Sequence, residues 1–324
     1  MDSVPVGTCV PGLLGSPAVT SPLAPDAFPQ ADADCGPFVR ALGLPGYLDV
    51  HVHLLPERLQ HAVWRYFDQL DDPPWPVTYR HDEAVRLATL RELGVVAHTA
   101  LAYAHRPGVA AWCNEHTLTA ADQHPEIIPT FTFFPEDGVE EYVGAAIDRG
   151  GRIAKVHLQV GRFHTTDARL DGVWAQLAAA GIPALIHASA VYGVEGGGDH
   201  CGPDQIRALL ERHPDVRVIV AHLGMPDAAG FLDVARGSEH VSLDTSMTLT
   251  DPAYGMAYPP ELLEPLAELV GAGRLLFGSD YPTIPHAYAA QVRGLAQLQL
   301  DRAGLRALLH DNAARLLGRP LTPP

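Results

Sequence analysis

From Tyr47 to about residue 318 the chain alternates short β-branched apolar runs with longer Ala/Leu/Arg stretches of helical spacing, the pattern of repeating βαβ units. The runs predict strands near 47–52, 94–101, 127–133, 153–158, 183–187, 216–222, 241–245 and 274–279. Helices fall between them. The stretch 171–181 places Val173, Leu177 and Ala180 on one face and stops at Gly181, and 203–213 opens on Pro203 and closes before Pro214. From the first strand end to the last the repeat averages about 33 residues, close to the roughly 30 a βαβ crossover needs. Eight such units predict an α/β fold, a (β/α)8 TIM barrel. A doubly wound open sheet fits less well, because no Gly-x-Gly-x-x-Gly turn follows the first strand.

One connection breaks the rhythm. Residues 54–93 hold an amphipathic helix with Leu59, Val63, Phe67 and Leu70 on one stripe, a Pro/Trp-rich turn (DDPPWP) and a second helix. This aromatic insertion after the first strand is placed to act as a lid. Residues 1–45 carry eight prolines and little periodicity, and predict an extended N-terminal arm that wraps the body or a neighbouring subunit. The expected organisation is an arm over 1–45, one domain over 46–318 and a tail over 319–324. Such an arm is compatible with a homodimer.

Composition narrows the partners. With 324 residues, 47% of them hydrophobic and 19% charged, the chain can bury a large core and falls in the class of ordinary globular proteins. Its net charge of −16 repels nucleic acid and anionic membrane surfaces, which leaves a small-molecule substrate as the expected partner. No apolar run approaches the roughly 18 residues of a membrane span. The first thirty residues lack the basic and apolar regions of a secretory signal. Cys9, Cys35, Cys113 and Cys201 are scattered without a Cys-x-x-Cys pair, which reads as free thiols and a cytoplasmic location.

The candidate chemistry lies at strand ends. His51-Val52-His53 closes the first strand, and period-2 geometry sends both imidazoles to one side, a spacing that suits a shared metal. His187 ends PALIH, His222 ends VRVIVAH and Asp280 follows RLLFGS, so three more metal-capable groups fall at the carboxyl ends of predicted strands, the face on which barrel enzymes carry their sites. Lys155, the single lysine of the chain, pairs with His157 at i, i+2 in the fourth predicted strand. A lysine in an apolar strand is costly unless paired or modified. Carboxylated by CO2 it would bridge two metals; as an ammonium it would bind a substrate carboxylate. Asp244 closes the seventh strand and either touches substrate or caps its loop. His105 and Glu136 follow the second and third strands and are expected to line the pocket, with His164, Tyr192, His200, Tyr281 and His286 in loops of the same face. No Gly-x-Ser-x-Gly elbow exists and Cys201 has no nucleophile signature, which disfavours an acyl-enzyme. Asn312 reads as a helix cap.

Taken in order, His51-x-His53, the KVH of the fourth strand, IHAS with His187, AHLG with His222, GSDYP with Asp280 and the closing DNAARLL resemble the amidohydrolase superfamily. More narrowly they resemble its amidohydrolase 2 branch of metal-dependent hydrolases and decarboxylases. The resemblance covers about residues 47 to 318. It implies a distorted (β/α)8 barrel in which His51, His53, His187 and Asp280 bind the principal divalent metal. His222 is then a second-site ligand or the group that orients water and polarises substrate. Two-metal members use a carboxylated lysine at the place of Lys155, whereas this branch generally holds one metal, so one or two per chain are expected. Zinc is the first expectation, with Mn, Fe or Co as alternatives. The leading expectation is hydrolysis of a small amide, ester, lactone or thioester, with Asp280 moving the proton and His222 stabilising the oxyanion. The alternatives are nonoxidative decarboxylation of an aromatic or enoic acid, and a ligand-binding barrel without turnover.

Overall fold

The computed structural model describes residues 21–71, 74–190, 196–250 and 257–318. Its strands are β1 (Tyr47–Asp49), β2 (Val95–Thr99), β3 (Ile127–Ile128), β4 (Thr130–Thr132), β5 (Ile153–His157), β6 (Ala184–His187), β7 (Val218–Val220), β8 (Val241–Asp244) and β9 (Leu275–Leu276). The third predicted strand is cut in two at Pro129, which has no N–H to give to a ladder. Its halves separate the pairing into β1-β2-β3 and β4-β5-β6-β7-β8-β9, parallel throughout. Past β1 and β9 the outer edges meet. Val50 N donates to Phe277 O at 3.0 Å, Asp280 N to His51 O at 2.7 Å and His53 N to Tyr281 O at 2.8 Å. The strands thus form a ring, the TIM barrel that eight βα units predict.

Side-chain alternation divides the strands into two faces. Ala154, Val156, Ala184, Ile186, Val218 and Val220 pack in the large cluster under the helices, while Leu48, Ala97, Ile128, Ile153, Leu185, Ile219 and Leu276 form a second cluster with Ala313, Ala314 and Leu317. A cluster fed by seven strands lies on the barrel axis. Along β5 the inward face runs Ile153, Lys155, His157, from apolar to ionisable as the carboxyl end nears. Register places His157 beside His187 and Lys155 beside Leu185. The polar ends of adjacent strands therefore converge over an apolar plug.

Three elements depart from expectation. Residues Asp32–Ala41 of the predicted extended arm form an α-helix, whose start is fixed by Asp34 accepting from Ala31 N at 2.9 Å and Gln30 N at 3.1 Å. It buries Cys35, Phe38 and Val39 against the body, an apolar set that the density of prolines obscures. In the helix Asp171–Ala180 the buried face is Val173, Trp174 and Leu177, with Ala180 exposed. Asn312 is not a cap: its amide donates to Val270 O and Leu275 O, both at 3.0 Å, and so fastens the last helix to β9 and to the helix Leu263–Gly271 before it. Among the described residues no helix is long and apolar enough to cross a membrane.

Candidate metal centre

A cavity of about 690 Å3 opens at the carboxyl ends of the strands. Its floor includes His53, Lys155, His157, His187, His222 and Asp280, with His105 at the exposed rim. His51 lies just beneath, fully buried.

The hydrogen bonds decide what each floor residue can offer. His51 Nδ1 donates to Asp244 Oδ2 at 2.8 Å, which leaves a lone pair on Nε2, a buried atom with no hydrogen-bond partner that lies 3.5 Å from Asp280 Oδ1. His53 Nδ1 donates to Leu101 O at 3.1 Å, so its Nε2 also presents a lone pair, 3.0 Å from the same Asp280 oxygen. Three acceptors converge without a donor among them. Such a set repels itself unless a cation is shared, and two imidazole nitrogens with a carboxylate oxygen suit a zinc-like divalent ion. Ligand atoms of His51, His53 and Asp280 all lie within 4.8 Å of one another, and the same holds for His51, His222 and Asp244. The first set faces the cavity; in the second, Asp244 is already engaged with His51 and does not line it.

Electrostatics favour the ligating forms. Burial lowers His51 to about 3, against the pull of Asp244; burial, then the charge of Lys155, holds His157 well below the usual imidazole range, and burial, then His157, does the same to His187. Burial lowers His222 as well. Burial alone would raise Asp280, yet the neighbouring rings of His53, His51 and His222 keep it below the usual carboxylate range. Asp244 is held low in the same way by His51, His222 and Ser246. His51, His157, His187 and His222 are thus held neutral and Asp244 and Asp280 ionised, the protonation state metals require.

The expected ligand set is only partly assembled. His187 stands one imidazole further away, its Nδ1 3.1 Å from His222 Nε2 and its ring stacked on His157 at 3.8 Å. His222 Nδ1 donates to Ser246 O at 3.2 Å, so its Nε2 is an acceptor when neutral. It can act as ligand or base, but the expected donation to an oxyanion does not fit this tautomer. Lys155 is 1% exposed and its Nζ has no hydrogen-bond partner; burial lowers it to about 8, while Asp244 and Asp280 oppose that shift. Both His222 (φ 56) and Asp280 (φ 65) adopt left-handed backbone that costs a non-glycine residue, and such strain concentrates at functional sites.

Other expectations move. Asp244 does not contact the cavity but orients His51 and accepts from His222 N at 3.2 Å and Ser246 N at 3.0 Å. Glu136 does not line the cavity either: its carboxylate accepts from Gly108 N at 2.6 Å and Tyr142 OH at 3.1 Å and so ties two loops together. Tyr281 is buried and donates to Arg86 O, His286 is half-buried beside Gln291, and His164 and His200 line a separate depression of about 270 Å3. Tyr192 lies outside the described residues. Burial pushes the thiols of Cys35 and Cys113 up to about 12 and that of Cys201 to about 11, which leaves them unreactive at neutral pH.

Sequence reasoning missed three residues. Asp49 accepts from His51 N at 3.0 Å, Ser279 N at 3.1 Å, Ser279 Oγ at 2.6 Å and Tyr288 OH at 3.0 Å, and thereby fixes β1 to the segment bearing Asp280. Ser246 Oγ lies 3.0 Å from His51 Nδ1 and 2.9 Å from His222 Nδ1 and donates to Asp244. Tyr103 packs edge-on against His53 and beside His157 at the cavity wall. The signal for the first two is period 2: Asp49 and Ser246 each lie two residues from a residue already singled out.

Comparison with known proteins agrees with this geometry. The family model described as Amidohydrolase matches residues 48–319. No curated protein matches the chain. An uncharacterized TIM-barrel protein, Bb4693 of Bordetella bronchiseptica, superposes with a TM-score of 0.65 at 19% identity, covering 84% of this chain and 98% of that one. 5-Carboxyvanillate decarboxylase LigW of Sphingomonas paucimobilis gives 0.63 at 17% identity, covering 85% and 100%. A Pseudomonas putida protein assigned as a 2-pyrone-4,6-dicarboxylic acid hydrolase gives 0.58 at 19%, covering 85% and 98%. These likenesses concern the fold. With a family match across most of its length, a TIM barrel and a His/Asp cluster at the strand ends, the chain belongs to the Amidohydrolase family.

Proposed function

We propose that the protein is a metal-dependent hydrolase acting on the carbonyl of a small amide, ester, lactone or thioester. The observation that carries this reading is the convergence of His51 Nε2, His53 Nε2 and Asp280 Oδ1, three acceptors without a donor, at the floor of a substrate-sized cavity. His51, His53 and Asp280 would hold the ion, zinc before Mn, Fe or Co, with His187 and His222 beside it. When bound, a divalent cation supplies Lewis acidity and an acidified water. The rest is done by the chain. Asp280, kept ionised, takes the proton of the attacking water and returns it to the leaving group. His222, whose Nε2 meets His187 Nδ1 at 3.1 Å, stands beside that water and positions it together with His187. Lys155, unpartnered at the cavity floor, receives the charge that develops on the carbonyl oxygen.

A second reading is nonoxidative decarboxylation of an aromatic or enoic acid. Lys155 favours it, since an unpartnered buried cation also suits a substrate carboxylate. The test is a panel of esters, lactones, amides and 2-hydroxybenzoate-type acids assayed before and after chelation. Hydrolysis that chelation abolishes and Zn or Mn restores supports the first reading. CO2 release without hydrolysis selects the second.

A further inference from the structure

The helix Glu57–Phe67 is strongly amphipathic, and such a helix ordinarily turns its apolar stripe to the core. Here that stripe is only half covered: Leu59 and Val63 touch the core without being buried in it. The single buried residue of the helix is polar: Gln60, whose Oε1 accepts from buried Arg86 at 2.7 Å. Trp64 takes the guanidinium groups of Arg80 and Arg86 against its ring at 5.5 and 5.8 Å. The helix is therefore fastened by polar and cation–π contacts. Its apolar stripe, Leu59, Val63 and Phe67, is left half-buried and lines the cavity together with Leu70, Trp75 and Met247. Trp75 is held in place by donating to Thr283 O at 2.8 Å and stacks on Phe67 at 5.4 Å. Among the described residues the charged groups lining this cavity are Lys155 and Asp280 at the floor and Arg162, which it shares with the neighbouring depression. The roof carries none.

We propose that the substrate is amphipathic: its reacting polar group meets the histidine floor, and an uncharged apolar body packs under the helix Glu57–Phe67 and Trp75. The floor half rests on the hydrolase reading; the roof half stands on the packing alone. The occupant is a small molecule, since the apolar roof and the polar floor bound one continuous cavity of about 690 Å3, within the range of ligand pockets. An apolar body there covers the part of the stripe that the core leaves open, and each methylene removed from water improves binding about fourfold.

The test uses full-length, metal-loaded protein. Binding of the neutral fluorophore N-phenyl-1-naphthylamine is titrated, and 4-nitrophenyl esters from acetyl to dodecanoyl are assayed beside a dicarboxylate monoester. The expected result is saturable probe binding, displaced by the longer esters, and kcat/KM that climbs with acyl length until the cavity is full, with the dicarboxylate monoester poor. Val63→Asp should weaken the probe at least about tenfold and flatten that climb, whereas Val63→Leu keeps both; an unchanged thermal midpoint in each shows that the fold survives. Probe binding without hydrolysis of these esters or of the lactones and amides of the panel above would sink the hydrolase reading and leave the apolar roof standing. Short or dianionic substrates preferred, with no probe bound, would overturn the roof and leave the hydrolase. Probe binding seen only after removal of residues 1–20 would give the cavity to the chain itself and also overturn the proposal.

Discussion

The floor and the roof of the cavity are built by opposite rules. On the floor, ionisable groups sit at the ends of barrel strands, and all of the histidines named here are fixed by a partner: Asp244 on His51, Leu101 O on His53, Ser246 on His222 and Asp49 on the backbone of His51. On the roof, apolar side chains are half-buried on an inserted helix whose anchors are polar. In this account the strand ends carry the chemistry and the loop insertion sets which molecule is admitted, the division of labour common to barrel enzymes. Changes to the floor should therefore abolish turnover, and changes to the roof should alter selectivity.

The largest effect expected is at Asp280. Asp280→Asn should lower kcat/KM by about 10²–10⁴-fold with the thermal midpoint little changed, because it removes the proton acceptor. Steady-state kinetics together with a melting curve check this, and near-normal turnover with metal bound would break the floor side of the comparison. Next is Asp244→Asn, which weakens the grip on the His51 ring. Metal affinity should fall about 10- to 100-fold, measured by competition with a chromogenic chelator, with activity recovering at high metal.

Lys155→Met separates stability from activity. In chelated wild-type protein, burial lowers Lys155 from 10.5 to about 8, so the folded state binds its proton less tightly than the unfolded one. Between those values the unfolded chain holds more protons, and stability rises with pH. Below about pH 8 the full penalty of burying the ammonium is present. The methionine variant should therefore be as stable as wild type or more stable at pH 7, with that margin shrinking from pH 8 to 10.5, and it should lose turnover. Urea unfolding at stepped pH reads the first part. The smallest effect belongs to the roof anchor. Gln60→Leu deprives buried Arg86 of its acceptor at a cost of about 1–3 kcal/mol. It should speed proteolysis within the insertion and raise KM for apolar substrates while leaving metal content intact.

The floor was largely legible in the sequence, because strand periodicity and the carboxyl-end rule place His51, His53, His187, His222, Asp280 and Lys155 without tertiary information. What escaped was support. Asp49 and Ser246 are short polar residues of a kind common at strand ends, and nothing local distinguishes one that braces a ligand from one that caps a loop. The roof was legible as an object and not as an orientation. Leu59, Val63 and Phe67 announce an amphipathic helix, but periodicity says only that an apolar face exists, and the residues that turn it toward the cavity, Arg86 and Thr283, lie far along the chain. Glu136 and Asn312 moved for the same reason: their partners, Gly108 and Val270, belong to other parts of the chain.

The most direct test of the account is metal content per chain by elemental analysis of protein purified without chelator, comparing wild type with His51→Ala and Lys155→Ala. The account predicts bound divalent metal in wild type, its loss together with hydrolysis in His51→Ala, and one metal retained in Lys155→Ala; two metals falling to one in Lys155→Ala would make that lysine a carboxylated bridge. Full hydrolytic activity in metal-free wild type, or undiminished metal in His51→Ala, would contradict it.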